Sequence, residues 1–317
     1  MAWNILINDG MEESGIQALR EAGFEISTHK LDAAQLMDRL KDYQGIVIRS
    51  ATQVRQELID AAPGLKFIAR GGVGLDNVDV RYAESKGIRV INTPAASSRS
   101  VAELALGHML SLSRGLQEAQ RNLKDAESFK NLKKKYGNAS ELSGKVLLLI
   151  GCGRIGRELA RMAIGLGMEP RVFDPFVEEI VLDLRLASQE ISLHLPLVSL
   201  EEGLREADFI SLHAPYTGKA LLSDAEFTAM KKTAYVINTS RGENMDEAAL
   251  LRALENGNIA GAGLDVFQGE PHILPELLNH PAISISPHIG ASTSEAQGRI
   301  AAELVERIRG LYQELGA

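Results

Sequence analysis

The 317-residue sequence has one cysteine, one tryptophan and few aromatic residues of any kind. A single cysteine excludes an intrachain disulfide, and a reducing compartment fits. Basic residues are in the minority, 34 Lys and Arg against 42 Asp and Glu, for a net charge of −8. That balance argues against nucleic acid or an anionic membrane as the main partner, since both select basic surfaces. No run approaches the roughly 18 apolar residues of a membrane span. The opening MAWNILINDGMEE lacks a basic stretch followed by an apolar one, so it does not read as a signal peptide. No His, Cys, Asp and Glu cluster has the spacing of metal ligands. Solenoid-length repeats and low-complexity tracts are also missing. A soluble cytoplasmic protein is the expectation.

What is present is apolar material, 45% of residues, and 29 glycines. The length suggests about two domains. The most informative stretch is Lys145 to Asp174, KVLLLIGCGRIGRELARMAIGLGMEPRVFD. An apolar strand, Val146 to Ile150, runs into Gly151-x-Gly153-x-x-Gly156. A helix ending near Gly167 and a strand, Glu169 to Phe173, then deliver Asp174. This strand–turn–helix–strand context gives a common glycine pattern the meaning of a dinucleotide site. The three glycines allow a sharp turn, close approach of a pyrophosphate, and tight packing of helix on sheet. The helix N-terminus offers unpaired N–H groups to the phosphates. Asp174 stands near the offset of about 20 residues at which an acid accepts hydrogen bonds from the ribose. It would also repel a 2′-phosphate, favouring NAD over NADP.

Before this unit, strands are expected at Trp3 to Asn8, Phe24 to Thr28, Gly45 to Arg49, Leu65 to Arg70 and Ile88 to Ile91. Helical stretches alternate with them, which implies a parallel sheet covered on both faces. Gly71-Gly72-Val73-Gly74 follows one strand. It is either a tight turn or a nest of free N–H groups for a carboxylate. Arg49-Ser50, at another strand end, either faces a ligand or is solvated. A long helix begins near Ser97, with Ser100-x-x-Glu103 resembling a capping box. Its apolar residues cover more than one face, from Val101 to Ala119, which suggests a subunit interface. His108 sits in that stripe and reads as packed. The run Lys130 to Lys135 reads as a solvated connecting segment. Val177 to Val198 reads as a loop with one short element. Strands then recur at Phe209 to Leu212, Ala234 to Ile237, Ala262 to Phe267 and Ile283 to Ser286. A final helix spans Ser294 to Glu314, with Ser294 as its cap.

In open α/β sheets ligands sit beyond the carboxyl ends of the strands. Arg241, Glu270 and His288 each follow such an end. An arginine can fork onto a carboxylate and polarise a keto oxygen. A histidine can accept a hydroxyl proton and return it. A paired glutamate fixes the ring and favours its charged form. Beside a nicotinamide, this set suits hydride transfer between the cofactor and a 2-hydroxy or 2-keto acid. His213, at a strand end, reads as lining the cofactor cleft. Cys152, inside the glycine loop, reads as a small apolar filler.

The motifs GCGRIGRELA, VINTSRGENMDEAALLRAL, GAGLDVFQGEP and SPHIGAST, in that order, resemble those of the D-isomer-specific 2-hydroxyacid dehydrogenases. IVIRSAT, GGVGLDNVD and NTPAASSRSVAELA look most like the phosphoglycerate dehydrogenase branch of that family. The resemblance implies catalytic roles for Arg241, Glu270 and His288. It implies cofactor contacts at Gly151, Gly153, Arg154, Ile155, Gly156, Asp174, His213, Ala214, Pro215, Thr239, Ser240, Asp265 and Gly290, with NAD as cofactor and no metal. It places substrate contacts at Arg49, Ser50, Gly72 and Val73. It also implies an α/β fold of two doubly wound parallel-sheet domains with a cleft between them. Residues 1–94 and 291–317 would form a flavodoxin-like substrate domain, and residues 95–290 a Rossmann NAD domain through which a homodimer forms. The Glu178 to Val198 segment looks longer than the family's usual one, and Gly242 to Asp246 replaces a more apolar run. A glyoxylate or hydroxypyruvate reductase is the alternative within the family. A NAD-sensing corepressor-like module is the alternative of another class.

Overall fold

The computed structural model describes residues 2–186 and 189–315. The chain divides into two compact units, Met1–Ser98 with Ala291–Ala317, and Arg99–Gly290.

The first unit is built on a sheet of β1 (Asn4–Ile7), β2 (Glu25–Ser27), β3 (Gly45–Ile48), β4 (Phe67–Arg70) and β5 (Arg89–Asn92), in the order β2-β1-β3-β4-β5. Every pair is parallel. This 2-1-3-4-5 order is the flavodoxin-like one. Strand β3 reads Gly-Ile-Val-Ile and is wholly buried, as a strand covered by helices on both faces must be. The last helix, Ser294–Glu314, belongs here because its Ile300, Leu304, Ile308 and Leu311 pack in one core with Trp3, Ile5, Ile7 and Phe67. Trp3 meets Tyr312 of that helix edge to face, with ring centroids 4.8 Å apart. The helix is capped by Thr293, whose side chain accepts from the Ala296 N–H. The cap is therefore one residue before the expected Ser294. A hydroxyl at 293 reaches the first free N–H groups, while Ser294 already has helical geometry.

The second unit carries β6 (Val146–Ile150), β7 (Glu169–Phe173), β10 (Phe209–Leu212), β11 (Tyr235–Asn238), β12 (Gly261–Leu264) and β13 (Ile283–Ile285), numbered so as to include the hairpin strands β8 and β9 described below. The order is β13-β12-β11-β10-β6-β7, all parallel. A single parallel bridge from Val172 to Leu197 continues the β7 edge. It stands where a dinucleotide fold has its third strand. The sequence order reverses between β6 and β10, which makes their carboxyl ends the topological switch point.

Residues 177–198 depart from the expected loop. Strands β8 (Val181–Leu186) and β9 (Gln189–His194) pair antiparallel over six residues each. The reason is alternation: Ile180 and Leu182 are buried in the core of the NAD-motif helix, while Asp183 is exposed. Burying one such leucine contributes about 1.5–3 kcal/mol. The hairpin is tied to the helix Arg154–Gly165 by Arg157, which donates to the Val181 carbonyl, and by Arg161, which donates to that of Asp183.

Three smaller expectations also fail. Ser100 does not cap the long helix, which begins at Ser98; it lies inside the first turn and donates to the Gly290 carbonyl. That helix stops at Arg114, because Gly115 takes the left-handed φ of 63° before a new helix, Leu116–Asn122. The lysines from Lys130 to Lys135 are solvated as expected, but they lie within a helix, Ala126–Lys135, rather than a connector. Its capping box at Asp125 and Ser128 outweighs the repulsion of neighbouring lysines on an exposed surface.

Candidate active site

Strand register determines what the second unit presents at its carboxyl edge. Phe173 pairs with Ile150, Ile150 with Leu212, Leu212 with Asn238, Asn238 with Leu264, and Leu264 with Ile285. The next residue of each strand therefore falls in one row: Asp174, Gly151, His213, Thr239, Asp265 and Ser286. Only Ser286 was not singled out from sequence, since a serine before Pro287 carries no motif signal.

The glycine loop is built as its sequence requires. Gly151 has φ of 84°, and a Cβ there would stand 2.9 Å from the Ala214 nitrogen. At Gly156 a Cβ would meet the Gly151 carbonyl oxygen at 2.7 Å, whereas at Gly153 it would meet nothing within 4 Å. Gly156 thus serves packing, and Gly153 opens the backbone outward at the start of the helix Arg154–Gly165. Arg154 is exposed there and Ile155 half-buried. The Asp174 carboxylate accepts from the Cys152 N–H at 3.0 Å and from the Phe176 N–H at 3.1 Å. Cys152 itself is buried, and burial pushes its thiol up to about 11. It is an inert filler rather than a nucleophile.

The neighbouring strand ends bear polar atoms that no described residue satisfies. His213 has Nε2 2.9 Å from the Ser211 hydroxyl, but its buried Nδ1 has no partner. Burial pushes this ring down to about 4, so it is neutral near pH 7. Thr239 Oγ1 is likewise buried without a partner. Unsatisfied buried polar atoms cost roughly 1–3 kcal/mol each. Set beside an open glycine loop, they fit a polar cofactor along this edge. Ala214 and Pro215 follow His213, with Pro215 exposed.

The loop after β11 is shaped by asparagines. Asn238 accepts from the N–H and hydroxyl of Ser240 and donates to the Arg241 carbonyl at 2.8 Å. The buried Asn244 donates to the Ala214 carbonyl at 2.8 Å and to Ser240 Oγ at 3.0 Å. These two residues join the β10 and β11 loops. Arg241 is half-buried, and its guanidinium donates to the Ser240 carbonyl at 2.6 Å.

Glu270 and His288 meet as expected of an acid–imidazole pair, with Nδ1 2.7 Å from Oε2. Glu270 also accepts from the Phe267 N–H at 2.8 Å. The hydrogen bond to Glu270 raises the His288 pKa, against burial and the Arg241 charge, with the charges of Glu270 and Asp265 adding to the rise. Burial works to raise Glu270, but the His288 and Phe267 hydrogen bonds and the charges of His288 and Arg241 leave its carboxyl below the usual range. His288 has φ of 53°, the one positive value at a non-glycine among the described residues. Such a conformation costs on the order of 1–3 kcal/mol and persists only when its surroundings over-determine it. Asp265 supplies that constraint. Its carbonyl accepts from the His288 N–H, and its carboxylate accepts from the N–H groups of Ile289 and Gly290, all at 2.8–2.9 Å.

In the first unit, β3 and β4 are followed directly by Arg49 and Gly71. Arg49 is half-buried, and its N–H donates to Asp9 at 2.8 Å. Asp9 also holds Thr52, and Asn77 donates to the carbonyls of Arg49 and Thr52. Ser50 and Val73 are exposed, and Gly72 is buried with φ of 141°.

The family described as "D-isomer specific 2-hydroxyacid dehydrogenase, NAD binding domain" matches residues 106–290. The chain belongs to this family. It is accordingly an NAD-dependent oxidoreductase of 2-hydroxy acids. The chain is 39% identical to a hydroxypyruvate reductase of Thermotoga maritima over 320 residues, covering 99% of both. It is also 39% identical to the D-3-phosphoglycerate dehydrogenase of Bacillus subtilis over 308 residues, but spans only 56% of that protein's length. Among solved structures, the TT0316 protein of Thermus thermophilus matches with a TM-score of 0.83 and 32% identity, over 98% of this chain and 97% of that one. An NADPH-dependent glyoxylate/hydroxypyruvate reductase of Sinorhizobium meliloti matches with a TM-score of 0.80 and 28% identity, over 98% and 94%. Among the described residues no cluster of His, Cys, Asp and Glu is arranged to hold a metal, and no helix is long and apolar enough to cross a membrane.

Proposed function

We propose that the protein oxidises D-3-phosphoglycerate to 3-phosphohydroxypyruvate with NAD. The observation that carries the chemistry is the Glu270–His288 pair at 2.7 Å, on loops that share a sheet edge with Arg241. Gly151, Gly153 and Gly156 with the N-terminus of helix Arg154–Gly165 would hold the cofactor's pyrophosphate, and Asp174 its ribose. His213, Ala214, Pro215, Thr239, Ser240, Asp265 and Gly290 would line its remaining length. A nicotinamide held there would supply the acceptor for the hydride that leaves C2 of the substrate. Arg241 binds the substrate carboxylate and holds the 2-oxygen in place. His288 takes the hydroxyl proton as the carbonyl forms, through the ring nitrogen that Glu270 does not occupy. Glu270 sets the orientation of the ring and favours its charged form. In the reverse direction the charged His288 returns the proton to the keto oxygen.

Arg49 supports the phosphorylated substrate: it is a cation at a strand end whose backbone is fixed by Asp9. We assign the substrate's phosphate to it, with Ser50, Gly72 and Val73 as further contacts. The second reading, a hydroxypyruvate or glyoxylate reductase, is favoured by the full-length match to the Thermotoga enzyme. Hydroxypyruvate lacks only the phosphate of the phosphorylated keto acid and glyoxylate lacks the phosphate-bearing carbon as well, so a panel of hydroxy and keto acids, followed by nicotinamide absorbance, separates the two readings. The phosphorylated pair is expected to have kcat/KM at least about tenfold above glycerate and hydroxypyruvate. Arg49→Ala is expected to remove that advantage, since a charge-assisted hydrogen bond is worth about 1.5–3 kcal/mol. Turnover of hydroxypyruvate or glyoxylate without turnover of the phosphorylated pair would establish the second reading instead. No turnover of any member would favour a NAD-sensing module.

We also propose a homodimer formed through the NAD-binding unit. Leu110, Leu116 and Phe129 are exposed on three successive helices of that unit, and Leu123 is exposed just past the second of them. Exposed apolar patches of this kind mark protein interfaces.

A further inference from the structure

Behind the His288 loop lies a line of polar groups, buried except for the half-buried Ser286, that the reaction as described does not use. His108, on the helix Ser98–Arg114, is 3% exposed. Its Nδ1 is 2.8 Å from Ser284 Oγ and its Nε2 is 2.9 Å from Ser286 Oγ. The Ser286 hydroxyl in turn donates to Asp265 Oδ1 at 2.6 Å.

The direction of this line follows from counting protons. A serine hydroxyl has one proton to donate. Asp265, as a carboxylate, can only accept, so the Ser286 proton is committed to it. Ser286 Oγ must then accept from His108, which puts the ring's proton on Nε2. Nδ1 is left as an acceptor and takes the Ser284 proton. A neutral ring with one proton satisfies every member, and burial lowers the His108 pKa in keeping with that form. The line runs Ser284 to His108 to Ser286 to Asp265, and ends on the carboxylate that gathers the N–H groups of Ile289 and Gly290. Room for the imidazole comes from Gly263 of β12, where a Cβ would stand 2.7 Å from the His108 Cβ.

We propose that His108 is a positioning residue for proton transfer: by donating to Ser286 it fixes the Asp265 carboxylate, and with it the strained loop that aims His288. The helix would otherwise present an apolar side chain at this depth, and the loop would lose one end of its anchor. Ser286 could then rotate away from Asp265, and the Ile289 and Gly290 N–H groups would share a carboxylate free to turn. The inference rests on His288 as the proton-transfer group.

The test compares four variants of the full-length protein in the nicotinamide assay at saturating cofactor. In His108→Gln the amide nitrogen occupies the place of Nε2 and keeps the donor to Ser286. In His108→Asn it reaches only the Nδ1 side. His108→Leu removes both. Small losses of aim in a reacting group cost rate steeply, so His108→Leu and His108→Asn are expected to lose roughly tenfold in kcat. Their KM for the keto acid should change less than about twofold. His108→Gln is expected to stay within about threefold of the parent kcat. Parent-like kcat in His108→Leu would overturn the proposal, as would equal losses in the Gln and Asn variants. The Gln and Asn pair keeps the test decisive even where the leucine variant fails to fold. His288→Ala is run alongside. If it retains activity, the site reading itself fails; if it is inactive while His108→Leu is not, only this inference fails.

Discussion

The Glu270–His288 pair makes the clearest demand on experiment. Glu270→Gln keeps the side chain's size and its hydrogen bond to Nδ1 but removes the charge. Two opposite charges about 4 Å apart interact by about 1 kcal/mol in water and about 4 kcal/mol at an effective dielectric near 20. The His288 side chain is 47% exposed and that of Glu270 is 33% exposed, so solvent screening puts the pair toward the lower value. On the order of 1 kcal/mol changes the ratio of charged to neutral imidazole by about fivefold. The sign is fixed by the cause of the shift. Glu270 raises the His288 pKa, so its neutralisation lowers it. Reduction of a keto acid needs the charged ring, and kcat/KM falls as pH rises through the His288 pKa. In Glu270→Gln that fall moves to lower pH. Oxidation needs the neutral ring, and its rise with pH moves the same way. Asp265 continues to raise the His288 pKa and Arg241 to lower it, so the limb moves without vanishing. The measurement is kcat/KM against pH in both directions for the parent and the variant. An unmoved limb, or one displaced to higher pH, would refute the coupling of the two side chains or the role of His288.

Two further outcomes are expected. Asp174→Ala should raise the KM for NAD by roughly tenfold or more, because charge-assisted hydrogen bonds to the ribose are lost. It should also narrow the preference over NADP; an unchanged NAD to NADP ratio would remove the ribose role. Sedimentation equilibrium should give twice the chain mass, and Leu123→Lys together with Phe129→Lys should shift it toward one chain. A concentration-independent monomer in the parent protein would end the dimer proposal.

The two parallel sheets were legible in the sequence because buried strands such as VLLLI at Val146–Ile150 and GIVI at Gly45–Ile48 are continuous apolar runs. The Gly151 loop was legible because at Gly151 and Gly156 a side chain would collide with neighbouring backbone, so the pattern is bound to glycine. Arg241, Glu270 and His288 could be named because each follows a strand, and parallel strands bring their carboxyl ends to one edge. The hairpin of β8 and β9 was not legible. Its alternation of apolar and polar residues is short, and its worth depends on the helix Arg154–Gly165, against which Ile180 and Leu182 are buried. The cap at Thr293 was missed by one residue, since neighbouring Thr and Ser both suit a cap and only backbone geometry chooses between them.

By itself, then, the sequence determined the fold class, the nicotinamide cofactor and the family, because each depends on local patterns in which few other residues would do. Tertiary structure alone decided the alignment of Asp174, Gly151, His213, Thr239, Asp265 and Ser286 in one row, since register is a property of paired strands and not of any one segment. It also decided that His108, which reads as one more residue of an apolar stripe, joins Ser284 to Ser286 and so to Asp265, across more than 170 residues of sequence between the histidine and the two serines. Periodicity says which face of a helix is buried; only packing says which polar groups that face will meet.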